Sequence, residues 1–262
     1  MKSIILCEGL TDCMFIQYYM RNVYNWMDDG SQSLGFTKWN RKLKKGFNQL
    51  IIGHNGGCSG LLPMLDNVFQ SNFLCKENEL YCKVVFITDR DGDDSEANMI
   101  GQIKDNIASH HGTIKSDLKN NEWVDINFVN SIGENITVSF LILVIPLDEC
   151  GAIETVLLNS IAEKDTYDSA IINNSKKFVS DADSEGRYLR KRRHKLKAWF
   201  NVFFSIRVPE DFYTERQKIF MQFPWEKNQQ LKNIFEKLDC LMIILLKLTN
   251  HSDYADQLFR YP

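Results

Sequence analysis

Short apolar runs alternate with amphipathic segments along the first two thirds of the chain. Apolar runs of four to eight residues are typical of buried strands, and apolar residues at helical spacing predict helices. The predicted strands are residues 3–7, 49–53, 81–88 and 137–146, with one more over 120–129. The predicted helices are residues 12–24, 61–73, 95–110 and 153–162. This alternation predicts an α/β fold in which helices flank a central, mainly parallel sheet.

Two stretches depart from this pattern. Residues 26–48 are polar and carry a basic cluster, which predicts an exposed helix or insertion. After residue 165 the strand pattern ends, so we predict a domain over residues 1–165 and a helical C-terminal extension over 166–262, packed on the core. The aromatic residues of that extension are predicted to be core rather than binding surfaces: Trp199, Phe200, Phe203, Phe204, Phe212, Tyr213, Phe220, Phe223 and Trp225.

Composition limits the class of protein. The chain has 262 residues, 44% of them apolar, and a formal net charge of −3. That charge argues against a uniformly basic nucleic-acid binder but allows a local basic groove. Seven cysteines without a CxxC pair favour a reducing cytoplasm over a disulfide framework or zinc ribbon. The apolar run at the start of the chain is too short for a signal peptide. No apolar run reaches the ~20 residues that are needed to cross a bilayer.

Acidic side chains follow three of the predicted strands. Glu8 follows the first, Asp89 and Asp91 follow the third, and Glu154 lies beyond the last. Side chains two residues apart on a strand project to the same side, so Asp89 and Asp91 can converge on one ion. Because α/β proteins bind ligands at the carboxyl ends of their parallel strands, these acids predict a site for a hard cation such as Mg²⁺.

These segments resemble the Toprim family. Residues 4–12, IILCEGLTD, resemble its first motif, an apolar strand followed by E-G-x-x-D, and residues 89–91, DRD, resemble its D-x-D motif. The glycine-rich turn at 53–60 lies where Toprim domains have their second strand and turn. Residues 151–158, GAIETVLL, resemble the G-x-x-E-x-x-L segment of the OLD-nuclease branch and of small stand-alone Toprim proteins. Residues 195–200, KLKAWF, resemble the late lysine-bearing segment of that branch.

Toprim domains occur in topoisomerases, primases, recombination proteins and OLD-type nucleases. The resemblance implies a metal-dependent nuclease that uses Mg²⁺ or Mn²⁺, with two ions. Glu8 would be a metal ligand or general base, and Lys195 would stabilise charge on the phosphate. The metal-binding residues that the resemblance implies are Glu8, Asp12, Asp89, Asp91 and Glu154. Two metal ions can activate a water and stabilise the leaving oxygen, while a cation offsets transition-state charge.

The resemblance also implies a setting. The chain lacks an ATPase P-loop, so an ATPase partner would have to be a separate chain. The stand-alone architecture and OLD-like segments favour a role in bacterial anti-phage defence. A homo-oligomer is compatible with the sequence.

A basic run lies in the extension. Residues 187–197 include seven lysines and arginines in eleven positions. Phosphate neutralisation dominates non-specific nucleic-acid affinity, so this run predicts contact with DNA or RNA, although a solvated helical face would show the same composition. The predicted nucleic-acid contacts are Arg187, Arg190, Lys191, Arg192, Arg193 and Lys197.

Other interpretations remain open. A non-catalytic nucleic-acid-binding or regulatory module with the same fold ranks second. Third, residues 89–92, DRDG, also resemble the nucleophile motif of haloacid-dehalogenase phosphatases, but Asp93 replaces the usual Thr or Val. An EF-hand fails at its obligatory glycine, where Asp94 stands, and a dinucleotide site fails for lack of G-x-G-x-x-G.

Overall fold

The computed structural model describes residues 1–75, 79–209, 223, 225 and 228–242. Its strands are β1 (Lys2–Cys7), β2 (Met27–Asp28), β3 (Trp39–Lys45), β4 (Asn48–His54), β5 (Tyr81–Asp89), β6 (Thr113–Ile114), β7 (Trp123–Val129) and β8 (Asn135–Ile145). Its α-helices are α1 (Leu10–Tyr24), α2 (Leu61–Leu74), α3 (Ser95–Ser109), α4 (Ile153–Lys164), α5 (Thr166–Ala182), α6 (Arg192–Arg207) and α7 (Gln229–Phe235). None of these helices has the length and apolarity needed to cross a bilayer.

The eight strands form one sheet in the order β2-β3-β4-β1-β5-β8-β7-β6. The four central strands β4, β1, β5 and β8 run parallel. On their flanks, β3 pairs antiparallel with β4, and β7 pairs antiparallel with β8. The predicted α/β fold with a central, mainly parallel sheet flanked by helices is therefore confirmed.

Alternate side chains of the central strands enter two separate cores, as the two-residue period of a strand requires. In β1, Ile5 and Cys7 join a cluster with side chains of α1, α4, α5, α6 and α7. Their neighbours Ile4 and Leu6 face the opposite side, where they pack with side chains of α2 and α3. The central strands are thus buried on both faces, which explains their continuous apolar sequences.

Helices from the end of the chain share a core with the first helix. Phe15 and Tyr19 of α1 contact the rings of Trp225 and Phe235 at centroid distances of 5.0 and 5.1 Å, respectively. The predicted burial is confirmed for Phe200, Phe203, Phe204, Phe223 and Trp225, while Trp199 is partly buried. Phe212, Tyr213 and Phe220 lie outside the described residues.

Residues 26–48 contradict the prediction of an exposed helix or insertion. They contain β2 and β3, which extend the sheet beyond β4. The apolar side chains of Trp26 and Leu43 are buried. Two of the cations that suggested an exposed segment, Lys42 and Lys44, are paired instead, since each contacts Asp29 at 2.9 Å. The basic composition therefore reflects ion pairs along a strand near the sheet edge.

Candidate functional site

The cavity that gathers the predicted acids lies at the carboxyl ends of β1 and β5. These strands are neighbours, but the chain leaves β1 toward β4 and leaves β5 toward β8. The loops that follow them consequently diverge and open a crevice, which is the usual place for a ligand in such sheets. The cavity has a volume of about 140 Å³. Its charged lining consists of Glu8, Asp12, Asp89, Asp91, Glu154, Arg193 and Lys197.

Glu8 is fixed against β5 by two hydrogen bonds. Its Oε1 accepts from the Thr88 hydroxyl at 2.6 Å and from the Asp89 N–H at 3.1 Å. Its backbone carbonyl accepts from the Gly57 N–H at 2.6 Å. Gly57 has a φ of +91°, a conformation that side-chain-bearing residues rarely adopt, so a glycine suits this turn. The carboxylate is therefore oriented by β5, and the backbone of Glu8 is held by the turn after β4.

Asp12 and Glu154 occupy the first turns of two helices that begin at the cavity. Their residues are only 7% and 5% exposed. Gly9 is the N-cap of α1, and the Asp12 carboxylate accepts its N–H at 2.9 Å. A helix amino terminus carries partial positive charge, which favours both acids at these positions.

Asp89 and Asp91 come from the end of β5. Asp89 Oδ1 accepts the N–H of Ile153, the first residue of α4, at 3.3 Å. Arg90 continues the strand pairing, because its N–H donates to Ile145 at 2.7 Å and its carbonyl accepts from Gly151 at 2.9 Å. The extended backbone lets Asp91, which is exposed, line the same cavity as Asp89.

Arg90 anchors this acidic turn. Its Nε donates to the Pro146 carbonyl at 2.8 Å, and its Nη2 contacts Glu96 Oε2 at 2.5 Å. Glu96 also accepts from Asn120, whose side chain bonds to the backbone of Val144 in β8. Sequence reasoning missed this network and the Thr88 hydroxyl, since neither the middle position of D-x-D nor a threonine in an apolar strand signals such a contact.

The crowded acids disfavour one another's charges. Burial and the neighbouring Glu154 carboxylate raise the pKa of Asp12 to about 8. Burial, followed by the charges of Asp12 and Glu8, raises the pKa of Asp89 well above its ordinary value. Within the described residues, no three His, Cys, Asp or Glu side chains already stand as a ready-made metal site. The donors are nevertheless all carboxylate oxygens in a cavity that disfavours their charge, and this chemistry fits a hard divalent cation.

Two cations face these acids from α6. Arg193 and Lys197 are four residues apart, which places both on one side of the helix at the cavity. The Lys197 charge lowers the pKa of Asp12, against the larger effects that raise it. Lys195 is exposed and does not line the cavity; its charge acts instead on Asp183. Two residues of helix correspond to a rotation of about 200°, so Lys195 and Lys197 cannot face the same site.

The remaining basic residues divide into two groups. Arg192 supports the acidic turn, since its Nη1 donates to the carbonyls of Arg90 at 3.4 Å and Asp91 at 3.1 Å. Arg187, Arg190 and Lys191 are exposed in the segment just before α6. That segment therefore joins the cavity to an exposed basic surface.

Comparisons with known proteins match the chain to a protein family and to solved structures. The model of the family described as "Protein of unknown function (DUF3226)" matches residues 2–240. A hypothetical protein from Pyrococcus horikoshii OT3 is 16% identical with a TM-score of 0.49, and the match covers 92% of this chain and 99% of that one. A hypothetical protein from S. aureus is 10% identical with a TM-score of 0.18, over 53% of this chain and 92% of that one. No curated protein matches the chain.

Proposed function

We propose that this chain, which belongs to the DUF3226 family, is a nuclease that hydrolyses phosphodiester bonds with the help of Mg²⁺ or Mn²⁺. One observation carries the proposal: five carboxylates from separate parts of the chain converge with two cations on a single cavity. Enzymes that hydrolyse phosphodiester bonds commonly use divalent ions with oxygen ligands, together with cationic side chains beside the phosphate. The Toprim-like order of the same acids along the chain supports the proposal independently.

The cavity's residues have distinct parts in this reaction. Glu8, Asp89 and Asp91 would hold one metal ion, and Asp12 and Glu154 would complete a second site. Bound ions would supply an activated water and offset charge on the departing oxygen. Glu8 Oε1 is held by Thr88 and Asp89, which leaves Oε2 to take a proton or bind a cation.

The two cations would act on the phosphate. Arg193 and Lys197 line the side of the cavity that α6 forms. Their positive charges face the carboxylates at the strand ends. They would bind the non-bridging oxygens and stabilise the negative charge that develops there during hydrolysis. Lys197 takes the role that the sequence resemblance implied for Lys195.

The proposed partners follow from the same resemblance. The substrate class is DNA or RNA, and an ATPase would be a separate subunit, in a setting of bacterial anti-phage defence. We place the protein in the cytoplasm, because all seven cysteines are free thiols. Self-association into a homo-oligomer is compatible with this proposal.

The test is cleavage of mixed DNA and RNA substrates with Mg²⁺, with Mn²⁺ or with EDTA. We expect the wild type to cleave only with a divalent ion and Glu8→Gln to lose this activity. Asp94→Asn is a matched control, because Asp94 is an exposed acid near Asp91 that lies outside the cavity and makes no capping hydrogen bond. Full activity of Glu8→Gln would refute the proposed site.

The second candidate, a non-catalytic binding module, has one observation in its favour. The described acids are not already arranged as a metal site. Nucleic-acid binding that is independent of divalent ions, without cleavage under any condition, would support this candidate. Release of phosphate from a monoester without nucleic-acid cleavage would instead support the phosphatase.

A further inference from the structure

The segment between α5 and α6 has a backbone held by one carboxylate. Asp183, at the end of α5, accepts N–H groups of Arg187 at 2.8 Å, Tyr188 at 3.1 Å and Leu189 at 2.7 Å. These hydrogen bonds lower the pKa of Asp183, and the bond from Leu189 has the largest effect. Gly186 provides the turn with a φ of +63°. The direction in which the segment presents its side chains is therefore defined.

Tyr188 is presented to solvent by this segment. The residue is 73% exposed, and the Arg187 guanidinium carbon lies 5.4 Å from the centroid of its ring. Single exposed aromatic residues are ordinary on protein surfaces. Tyr188 differs because its backbone is held in place and because Arg187, Arg190 and Lys191 beside it are exposed cations. Exposed rings among cations are how proteins bind single-stranded nucleic acids.

The segment leads directly to the cavity. Arg192, the first residue of α6, donates to the Asp91 carbonyl, and the next residue, Arg193, lines the cavity. Five residues of chain span at most about 18 Å, so Tyr188 lies within that distance of Arg193. A strand whose phosphate occupies the cavity can thus bring a base from within a few nucleotides of that phosphate to Tyr188.

We propose that Tyr188 stacks on an unpaired base, so that the substrate is single-stranded beside the scissile phosphate. This rests on the proposed nuclease function. Bases in a duplex already stack on one another, and only an unpaired base offers a free face to the ring. Every base has such a face, so the contact carries no sequence preference. The neighbouring cations would bind the phosphates on either side.

The experiment is a fluorescence-anisotropy titration of the full chain in Ca²⁺, a cation that also takes oxygen ligands. The probes are a labelled single-stranded DNA, an RNA of the same sequence and the matching duplex. We expect Tyr188→Ala to weaken binding of both single strands by roughly 5- to 100-fold and to leave duplex binding unchanged. Tyr188→Phe keeps the ring and should keep the affinity.

Tyr167→Ala is the matched control. Tyr167 is 75% exposed, and its neighbour Asp168 pairs with Arg207, which places it at the opposite end of the α5–α6 pair. The stacking role is overturned if Tyr188→Ala binds single strands like the wild type, if it weakens duplex binding equally, or if Tyr188→Phe loses as much as Tyr188→Ala. In each of these three outcomes, metal-dependent cleavage by the wild type would still support the proposed nuclease function. A wild type that neither binds nor cleaves nucleic acid would overturn both proposals.

Discussion

The surroundings of Asp12 disfavour the ionised form of its side chain. Its pKa is about 8 in the folded chain, well above the ordinary aspartate value near 4. As pH rises between these values, the unfolded chain releases this proton before the folded chain does, so the folded state loses stability. A buried carboxylate that weakens the fold at neutral pH is typical of a functional position.

Replacing Asp12 by its neutral isostere should therefore stabilise the cation-free protein. We expect Asp12→Asn to raise the melting temperature in EDTA at pH 8 by at least about 2 °C, with a smaller rise at pH 5. Differential scanning calorimetry at the two pH values measures this. Added Mg²⁺ should raise the melting temperature of the wild type more than that of the variant, and an equal rise in both would count against Asp12 as a ligand.

Lys195 and Lys197 form a matched pair for the role of the phosphate-facing cation. Lys197 lines the cavity, while Lys195 is exposed and near Asp183. We expect Lys197→Gln to lower kcat about 100-fold, the cost of losing one group that stabilises transition-state charge. Lys195→Gln should cleave at the wild-type rate. The reverse ranking in a single-turnover assay would restore Lys195 to the role implied by sequence resemblance.

The sequence could predict the acids of the cavity better than its cations. Glu8 and Asp89 follow apolar runs, and local pattern suffices to place them at strand ends. Lys197 depends on the rotational phase of α6, which is set by burial of Phe200 and Phe204 against elements far away in the chain. No local pattern contains that information, so the choice between two lysines two residues apart needed the structure.

At the scale of secondary-structure elements, one junction holds the acidic turn. Arg90 links the end of β5 to Pro146 after β8 and to Glu96 in α3. Its side chain is only 13% exposed. Removing it therefore takes one hydrogen bond from the buried Pro146 carbonyl and takes the paired cation from Glu96. The position of Asp89 and Asp91 is therefore a property of three elements together.

Breaking that junction should affect stability and metal affinity together. We expect Arg90→Met to lower the free energy of unfolding by about 2 kcal/mol and to weaken Mg²⁺ binding. Urea denaturation and isothermal titration measure the two effects. The exposed Arg187 provides the control Arg187→Met, for which a change under about 0.5 kcal/mol is expected. An unchanged Mg²⁺ affinity in Arg90→Met would show that the turn keeps its shape without the arginine.

The central strands were predictable, but β3 was not. Strands buried on both faces have continuous apolar sequences, and β1, β4, β5 and β8 were recognised in this way. In the β3 sequence, WNRKLKK, three of the four cations pair with Asp28 of β2 or with Asp29, the residue after it. Polar composition indicates exposure only where charges lack such partners, and a single sequence does not show the pairing.

At the scale of the whole molecule, the C-terminal helices complete the core beneath α1. Phe235 is fully buried against Phe15 and Tyr19. We expect Phe235→Ala to lower the free energy of unfolding by about 3–5 kcal/mol, as loss of a buried aromatic ring does. Phe178→Ala, at an exposed ring on α5, should change it by less than about 0.5 kcal/mol.

Urea denaturation followed by circular dichroism compares these two variants. Unfolding of Phe235→Ala in one cooperative transition would show that the extension and the sheet fold as a unit. Two separate transitions would instead support an independent domain over residues 1–165. The predicted division of the chain thus becomes a measurable property.

The charges around the cavity determine the net charge of the whole protein and therefore its long-range interaction with other charged molecules. Five carboxylates and two cations leave three formal negative charges there, which equals the formal net charge of −3 for the whole chain. The other residues of the chain are therefore neutral in sum. Because burial raises the pKa of Asp12 and of Asp89, the empty cavity holds protons that bound cations would release. With all five acids ionised and two divalent ions bound, the formal charge of the chain would be +1. Under the proposed function, the protein without metal ions would repel a polyanionic nucleic acid at long range. The protein with bound metal ions would attract it.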